Sequence, residues 1–315
     1  MGAQPQAHIA WKVLLAIDSS AASKNVVDEA VARPWPKGTT FFALNVVDIN
    51  FARFPVLLDE TKRQAAALVR EAAERLARVG NPCDCGVAIG SPRNEIAEYA
   101  KKWGATLIMA GSRGQGAAAR FLLGSVAQGI LRTAPCSVEI VRAKVADAPA
   151  SSRAMKILLA VDGSEFSTAA VESVSNRPWP SGSQLKVVSV EELPVFENQC
   201  TAFPLAAVYP ASLLEELLEC GHTQAKEAVA KAHKVLDASL LAVAANGELP
   251  IGEVRTGVLE QAQKWNADLI VLGCHGRRGM DRVLLGSVSE SVAIHAGCSV
   301  EVIRPIETET GGRET

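Results

Sequence analysis

The sequence predicts an α/β protein made of two tandem Rossmann-like domains, each a five-stranded, parallel, doubly wound sheet. Three observations predict it. First, the chain repeats itself: residues 13–20 read VLLAIDSS and residues 157–164 read ILLAVDGS, while RPWP stands at 33–36 and again at 177–180, at the same offset of 144. Second, short β-branched apolar runs alternate with amphipathic stretches, the pattern of parallel strands joined by right-handed helical crossovers. Third, Gly111, Gly114 and Gly124 return as Gly273, Gly276 and Gly286, and Trp103 and Cys136 return as Trp265 and Cys298, now at an offset of 162. The growth from 144 to 162 leaves 18 extra residues in the second copy, around PVFENQCTAFPLAAVYP. A repeat of this length is one folding unit written twice. The expected division is a first domain at 9–142, a linker at 143–154, a second domain at 155–304 and a polar tail at 305–315. The linker AKVADAPASSRA is small, polar and contains Pro.

Each copy reads in the same order. Val13–Ile17 and Ile157–Val161 are uninterrupted apolar runs, expected as strands buried on both faces. A turn with Asp and Ser follows, then a helix over Ala21–Ala32 or Ser167–Ser175, with Ser23 and Ser167 near the N-cap position. Pro-Trp-Pro stops that helix. The second strand is expected at Phe41–Val47 and Leu185–Val190, and a long amphipathic helix at Thr61–Val79 and Leu213–Leu241. The third strand is expected at Cys85–Ile89 and Glu248–Val254. A helix then ends at Trp103 or Trp265; aligning Gly90 with Gly257 shortens its second copy by five residues. Strand four falls at Thr106–Ala110 and Leu269–Leu272, and strand five at Ser137–Val141 and Ser299–Ile303.

Composition narrows the function. Hydrophobic residues make up 48% and charged residues 21% of the 315, enough for an ordinary core without disulfide or metal staples. The net charge of −2 offers no basic excess for nucleic acid or an anionic membrane. Seven scattered cysteines do not form a secreted disulfide framework, and Cys83-Asp84-Cys85 is one residue short of a C-x-x-C redox or zinc spacing, which leaves a loop entering a buried strand as the favoured reading. MGAQPQAHIA lacks the basic and apolar parts of a signal peptide, and no apolar run approaches the ~20 residues of a bilayer span. The expected location is cytoplasmic.

The glycines mark the candidate site. Gly111-x-x-Gly114 and Gly273-x-x-Gly276 directly follow strand four, where glycine permits sharp turns and close approach of a ligand. After nine intervening residues, Gly124-Ser125 and Gly286-Ser287 each open a helix whose free N–H groups and positive end suit phosphate. Asp18 and Asp162 end strand one beside the same crevice, at the point where strand order reverses in doubly wound sheets. There each Asp could hold Mg²⁺, bond sugar hydroxyls or simply form the strand-end turn.

This pattern, G-x-x-G-x9-G-[S/T] after strand four with Asp after strand one, resembles the universal stress protein family in its tandem two-domain form. The resemblance covers nearly the whole chain. It implies an adenine nucleotide alpha-hydrolase-like fold and ATP binding, with ADP or AMP as alternatives and Mg²⁺ as a companion. Phosphates are then expected on Gly114, Gly124 and Ser125, and on Gly276, Gly286 and Ser287. Ribose is expected near Gly111 and Gly273, and adenine at the backbone of Val46 and Val190. It also implies that the last strands pair as an intramolecular pseudo-dimer, with a homodimer and unnamed protein partners as further expectations.

Other residues invite chemistry and are weighed against it. Cys274-His275 suggests a nucleophile or metal ligand, but the first copy has Ser112-Arg113 there, so the better reading is a donor beside phosphate. Cys136 and Cys298 read as small buried hydrophobes, and Trp35, Trp179, Trp103 and Trp265 as packing anchors. No G-x-x-x-x-G-K-[S/T], strand-one G-x-G-x-x-G, serine elbow or H-E-x-x-H is present. The expected role is therefore a nucleotide-responsive regulatory module in stress response, with no catalytic residues assigned. A slow ATP hydrolase and a nucleotide-free scaffold are the rival expectations.

Overall fold

The computed structural model describes residues 10–50, 54–112, 123–142, 154–192, 210–236, 242–243, 251–276 and 285–305. These fall into two compact units, one carrying the first repeat and one the second. Of the expected linker at 143–154 and tail at 305–315, residues 143–153 and 306–315 lie outside the described residues.

The first unit runs β1 (Lys12–Ala16), α1 (Ala21–Ala32), β2 (Thr40–Asp48), α2 (Pro55–Arg78), β3 (Cys83–Gly90), α3 (Pro92–Trp103), β4 (Leu107–Gly111), α4 (Ser125–Thr133) and β5 (Ser137–Val141). Its strands lie in the order β3-β2-β1-β4-β5, all parallel, with Val13 opposite both Phe41 and Leu107. The central strands are apolar because both faces are covered. Val13, Leu15, Phe41, Leu107 and Met109 meet Val26 and Ala30 of α1 and Val69 and Leu76 of α2 on one face. On the other, Phe42 meets Tyr99 and Trp103 of α3. Trp35 anchors the first face, its Nε1 donating to the Ala30 carbonyl at 2.8 Å and its ring edge-on to Phe41.

The second unit runs β6 (Lys156–Ala160), α5 (Glu165–Ser175), β7 (Gln184–Val188), β8 (Glu191–Glu192), α6 (Ala211–Leu236), β9 (Ala242–Val243), β10 (Ile251–Gly252), α7 (Val254–Trp265), β11 (Leu269–Gly273), α8 (Ser287–His295) and β12 (Ser299–Ile303). Its parallel sheet is ordered β12-β11-β6-β7-β9. The copies share one end device. Lys12 donates to the Trp103 carbonyl at 3.0 Å beneath that ring, and Lys156 donates to the Trp265 carbonyl at 3.4 Å beneath its own.

The structure corrects several expectations. The N-caps are Ser20 and Ser164, whose Oγ atoms accept from the N–H groups of Ser23 and Ser167; those two serines sit one turn inside the helices. α2 starts at Pro55, not Thr61, because Pro suits the first helical turn while the exposed Val56 and Leu57 give that turn no amphipathic signature. Cys83 belongs to β3, an edge strand rather than a buried one; burial pushes the half-buried Cys83 thiol up to about 12, while Cys85 is exposed. Cys298 is half-buried, unlike Cys136.

The third strand of the second copy is not the expected Glu248–Val254. The place beside β7 is held by β9, β10 pairs with β8 in a separate short ladder, and Val254 already opens α7. Nor is α7 shortened. α3 and α7 both have 12 residues, so Gly252, not Gly257, matches Gly90. Their length is set from the far end, where Gly104 and Asn266 adopt left-handed φ of 71° and 54° and close each helix.

Among the described residues of the first unit, Arg33 pairs with the partly exposed Glu29 at 2.8 Å and with a second carboxylate that is buried. Glu139 in the middle of β5 is fully buried and receives both Nη atoms of Arg33, at 2.8 and 2.7 Å. A buried bidentate pair is costly to break on one side because the remaining charge stays desolvated. Glu139→Ala is expected to destabilise the first unit by about 3–5 kcal/mol in urea titrations, whereas the double change Arg33→Met with Glu139→Leu recovers most of that loss.

Candidate functional site

In both units the sheet opens at its C-terminal edge between strands one and four, where the chain leaves in opposite directions. In the first unit the exit of β1 is fixed by the Ile17 N–H donating to the Leu44 carbonyl at 3.0 Å and by Asn45 Nδ2 donating to the Ile17 carbonyl at 2.8 Å. Asp18 follows, half-buried. Its Oδ1 accepts from the Ser20 N–H and the Ser23 hydroxyl, at 2.9 and 2.7 Å, and its own N–H donates to Ser23 Oγ. Asp18 is thus a turn former, with the expected strand-end geometry. Leu44 faces β1, and side alternates residue by residue along a parallel strand. Val46 therefore directs its backbone N–H and C=O to the same side, past the end of β1.

β4 ends at Gly111, and the reason for glycine there is helix packing. A Cβ on Gly111 would stand 2.8 Å from the Ala22 Cβ and 3.0 Å from its carbonyl carbon. The Ser112 N–H then donates to Val141, and the Gly124 N–H returns to the Ser112 carbonyl at 2.9 Å. The two ends of the glycine segment are therefore tied together. Gly124 is the N-cap of α4 and has no side chain with which to cap it, and Ser125 is exposed at the first helical position. Gly114 lies outside the described residues.

The second unit repeats these ties. Val161 N–H meets the Val188 carbonyl, Cys274 N–H the Ile303 carbonyl, and Gly286 N–H the Cys274 carbonyl at 2.8 Å. Gly273 is closed in by the Phe166 backbone, its virtual Cβ lying 2.7 Å from the Phe166 carbonyl carbon. Ser289 Oγ adds a bond to the Gly273 carbonyl at 2.7 Å, holding α8 against the end of β11. Asp162 Oδ1 accepts from the Ser164 N–H at 3.0 Å, and its Oδ2 lies 2.9 Å from where a Gly276 Cβ would be.

These residues surround an open cleft of about 950 Å³. Asp162, Val190, Gly273, Gly276, Gly286 and Ser287 all line it, so the six second-copy residues expected around a nucleotide are brought to one place. That volume lies in the range of small-ligand sites. Val190 stands two residues beyond the end of β7 rather than at it. Reading the sequence missed one wall: Gln224, Glu227 and Lys231 of α6 face the cleft, with Val254 and Val258 of α7. Nothing in their spacing distinguishes them from a solvated helix face. Among the described residues no cluster of three His, Cys, Asp or Glu is placed to hold a metal, and no helix is long and apolar enough to cross a membrane.

Comparison with known proteins agrees with this architecture. The sequence profile described as the universal stress protein family matches residues 11–142 and 154–304. A universal stress protein of Synechocystis is 31% identical over 153 residues, covering 47% of this chain and 97% of the relative. Among solved structures, a universal stress protein from Archaeoglobus fulgidus superposes with TM-score 0.60 at 21% identity, covering 93% of this chain and 96% of its own. A functionally unknown protein from Pseudomonas aeruginosa superposes with TM-score 0.64 at 17% identity, covering 94% and 93%. At these identities the superpositions show the shared fold.

The glycines separate by environment, and this is testable by stability alone. Gly273→Ala forces a methyl into the Phe166 backbone and is expected to cost about 1–3 kcal/mol. Gly276→Ala meets, among the described residues, the end of the Asp162 side chain, which can turn, and is expected to cost less than about 0.5 kcal/mol. Urea denaturation of the two variants, without added ligand, measures the difference.

Proposed function

We propose that this chain, which belongs to the universal stress protein family, is a cytoplasmic regulatory module whose two units bind adenine nucleotide and whose protein partners respond to what is bound. ATP is the favoured ligand, with ADP and AMP as its nearest competitors. The observation that carries the reading is the convergence of Asp162, Val190, Gly273, Gly276, Gly286 and Ser287 on one cleft at the reversal point of the sheet. Phosphates would lie against Gly276, Gly286 and Ser287, where the N-cap residue Gly286 has no side chain to cap the first N–H groups of α8. Ribose would lie near Gly273 and Asp162, and adenine against the backbone at Val190. The first unit would use Gly114, Gly124 and Ser125 for phosphate, Gly111 and Asp18 for ribose, and Val46 for the base.

A Mg²⁺ ion accompanying the triphosphate fits this donor set in a limited way. Each site offers one carboxylate, Asp18 or Asp162, so phosphate oxygens and water must supply the rest of an octahedral shell. The ion's contribution would be to neutralise phosphate charge beside that carboxylate.

A second reading is favoured by a specific observation. Gly111, Gly273 and Gly286 are each explained by close backbone packing, against Ala22, Phe166 and the Cys274 carbonyl. A nucleotide-free scaffold would need the same glycines.

Nucleotide content separates the two. The full chain, purified without added nucleotide and then denatured, is expected to release adenine nucleotide approaching one per unit. If the ligand is lost during purification, Mg–ATP at about 100 times its Kd is expected to raise apparent stability by about 2.7 kcal/mol. No released nucleotide together with an unchanged unfolding midpoint at saturating Mg–ATP would leave the scaffold reading.

A further inference from the structure

The first unit carries a cysteine pair that the crevice leaves unused. β3 ends the strand order of its sheet, and it opens with Cys83-Asp84-Cys85. Side chains alternate along a strand, so Cys83 and Cys85 share one face, with Cα atoms about 6.7 Å apart. The packing agrees. Cys83 and Val87 lie against the core under α1 and α2, and Phe41 and Ala43, the β2 partners of Cys83 and Cys85, belong to that core. Gly86 faces the other way, where a Cβ would stand 3.1 Å from the Phe42 ring. Asp84 shares this opposite face, that of α3, where burial and then Asp84 push the Tyr99 phenol up. The carboxylate of the motif is thus on one side of the strand and both sulfurs are on the other.

The Cys83 sulfur leans along the strand toward Cys85. Its Sγ donates to the Asp84 carbonyl at 3.3 Å, and a backbone hydrogen bond from Ala43, the residue opposite Cys85, also reaches it. Cys83 is half-buried and Cys85 exposed, so a ligand from solvent has an open way in. Burial keeps Cys83 a thiol at neutral pH, and a thiol is a poor nucleophile and a poor redox partner. A disulfide would need the two Cβ atoms at about 3.8 Å, which an extended strand does not allow without breaking its pleat. A soft cation meets neither obstacle, because it displaces the proton of a coordinating thiol outright. Two metal–sulfur bonds of about 2.3 Å in line hold their sulfurs about 4.6 Å apart, a span that two parallel thiols at this spacing reach by leaning together. Structural zinc needs four ligands, and among the described residues no cluster of even three His, Cys, Asp or Glu is present. Two thiolates without an oxygen ligand select a cation of the Cu(I) kind.

We propose that Cys83 and Cys85 form a two-coordinate site for a soft monovalent cation of the Cu(I) class on the β3 edge of the first unit. Binding forms two metal–sulfur bonds and releases the two thiol protons to solvent, with no change of oxidation state. Cys83 begins β3, whereas the crevice lies beyond the C-terminal ends of the strands, so the site stands apart from the nucleotide reading and does not rest on it.

Titration of the reduced full chain with Cu(I), without oxygen and in competition with the chromophoric chelator bicinchoninate, tests it. Wild type is expected to take one Cu(I) per chain from the chelator. Cys85→Ser changes an exposed side chain, so it spares the core, and it removes one of the two ligands. Losing an outer-shell partner of a metal ligand already costs about 10–100-fold in affinity, so losing the ligand itself is expected to cost at least about 100-fold. The control is the double change Cys200→Ser with Cys220→Ser, which removes other thiols and is expected to bind as wild type does. Failure of wild type to compete, or equal binding by wild type and Cys85→Ser, overturns the proposal. An equal loss in the control also overturns it, since binding is then adventitious capture by scattered thiols. X-ray absorption of the wild-type complex gives a check independent of the variants: two sulfur neighbours in line are expected, and a third sulfur or a nitrogen ligand contradicts the two-coordinate site.

Discussion

The candidate site depends on one close approach, that of the first helix of each unit to the end of its fourth strand. α1 comes so near β4 that only glycine fits at 111, and α5 comes so near β11 that only glycine fits at 273. A helix that close brings its preceding turn, with Asp18 or Asp162, to the mouth of the crevice. The same contact turns the chain out of the sheet. The Gly124 and Gly286 N–H groups then bring it back to the Ser112 and Cys274 carbonyls, so the last helix starts beside the strand end it left. The crevice is therefore held by backbone packing and backbone hydrogen bonds.

On this common frame the two units have diverged. Around β6 and β11, Phe166, Cys274 and His275 build an aromatic and titratable corner where the first copy has Ala22, Ser112 and Arg113. α6 adds Gln224, Glu227 and Lys231 to the wall. In the first unit Phe42 packs on Tyr99, while the matching pair in the second is Lys186 and Gln261, joined at 3.2 Å. Duplication preserved the turns and released the side chains around them.

Much of this was legible because parallel strands covered on both faces read as short apolar runs, and because the repeat offsets align the two copies without a second sequence. The doubly wound α/β fold is legible in those runs, and the glycine spacing with Asp after strand one carries the resemblance to the universal stress protein family. The failures have local causes. The first turn of α2 exposes Val56 and Leu57, so periodicity began too late. Ser20 and Ser164 were passed over for Ser23 and Ser167 because Ser occupies both ends of the capping turn. Gly257 lies inside α7, where glycine is uncommon, and it drew the alignment away from Gly252. The third strand of the second copy was misplaced because the apolar residues at 251–254 are divided between the short β10 ladder and the start of α7, while β9 takes the place beside β7. The α6 wall was invisible, since tertiary placement and not residue spacing turns it toward the cleft. Gly111 and Gly273 were read as ligand approaches, and the structure adds that helix packing alone requires them.

The central claim is that the second cleft binds nucleotide through the backbone at the end of β11 and the start of α8. Hydrogen–deuterium exchange of the full chain, with and without saturating Mg–ATP, tests it most directly. The account predicts slowed exchange at the amides of 274–276 and 286–289, with a smaller effect at 189–190. Unchanged exchange in those segments, at a concentration where ATP demonstrably binds the protein, would contradict it and move the ligand elsewhere.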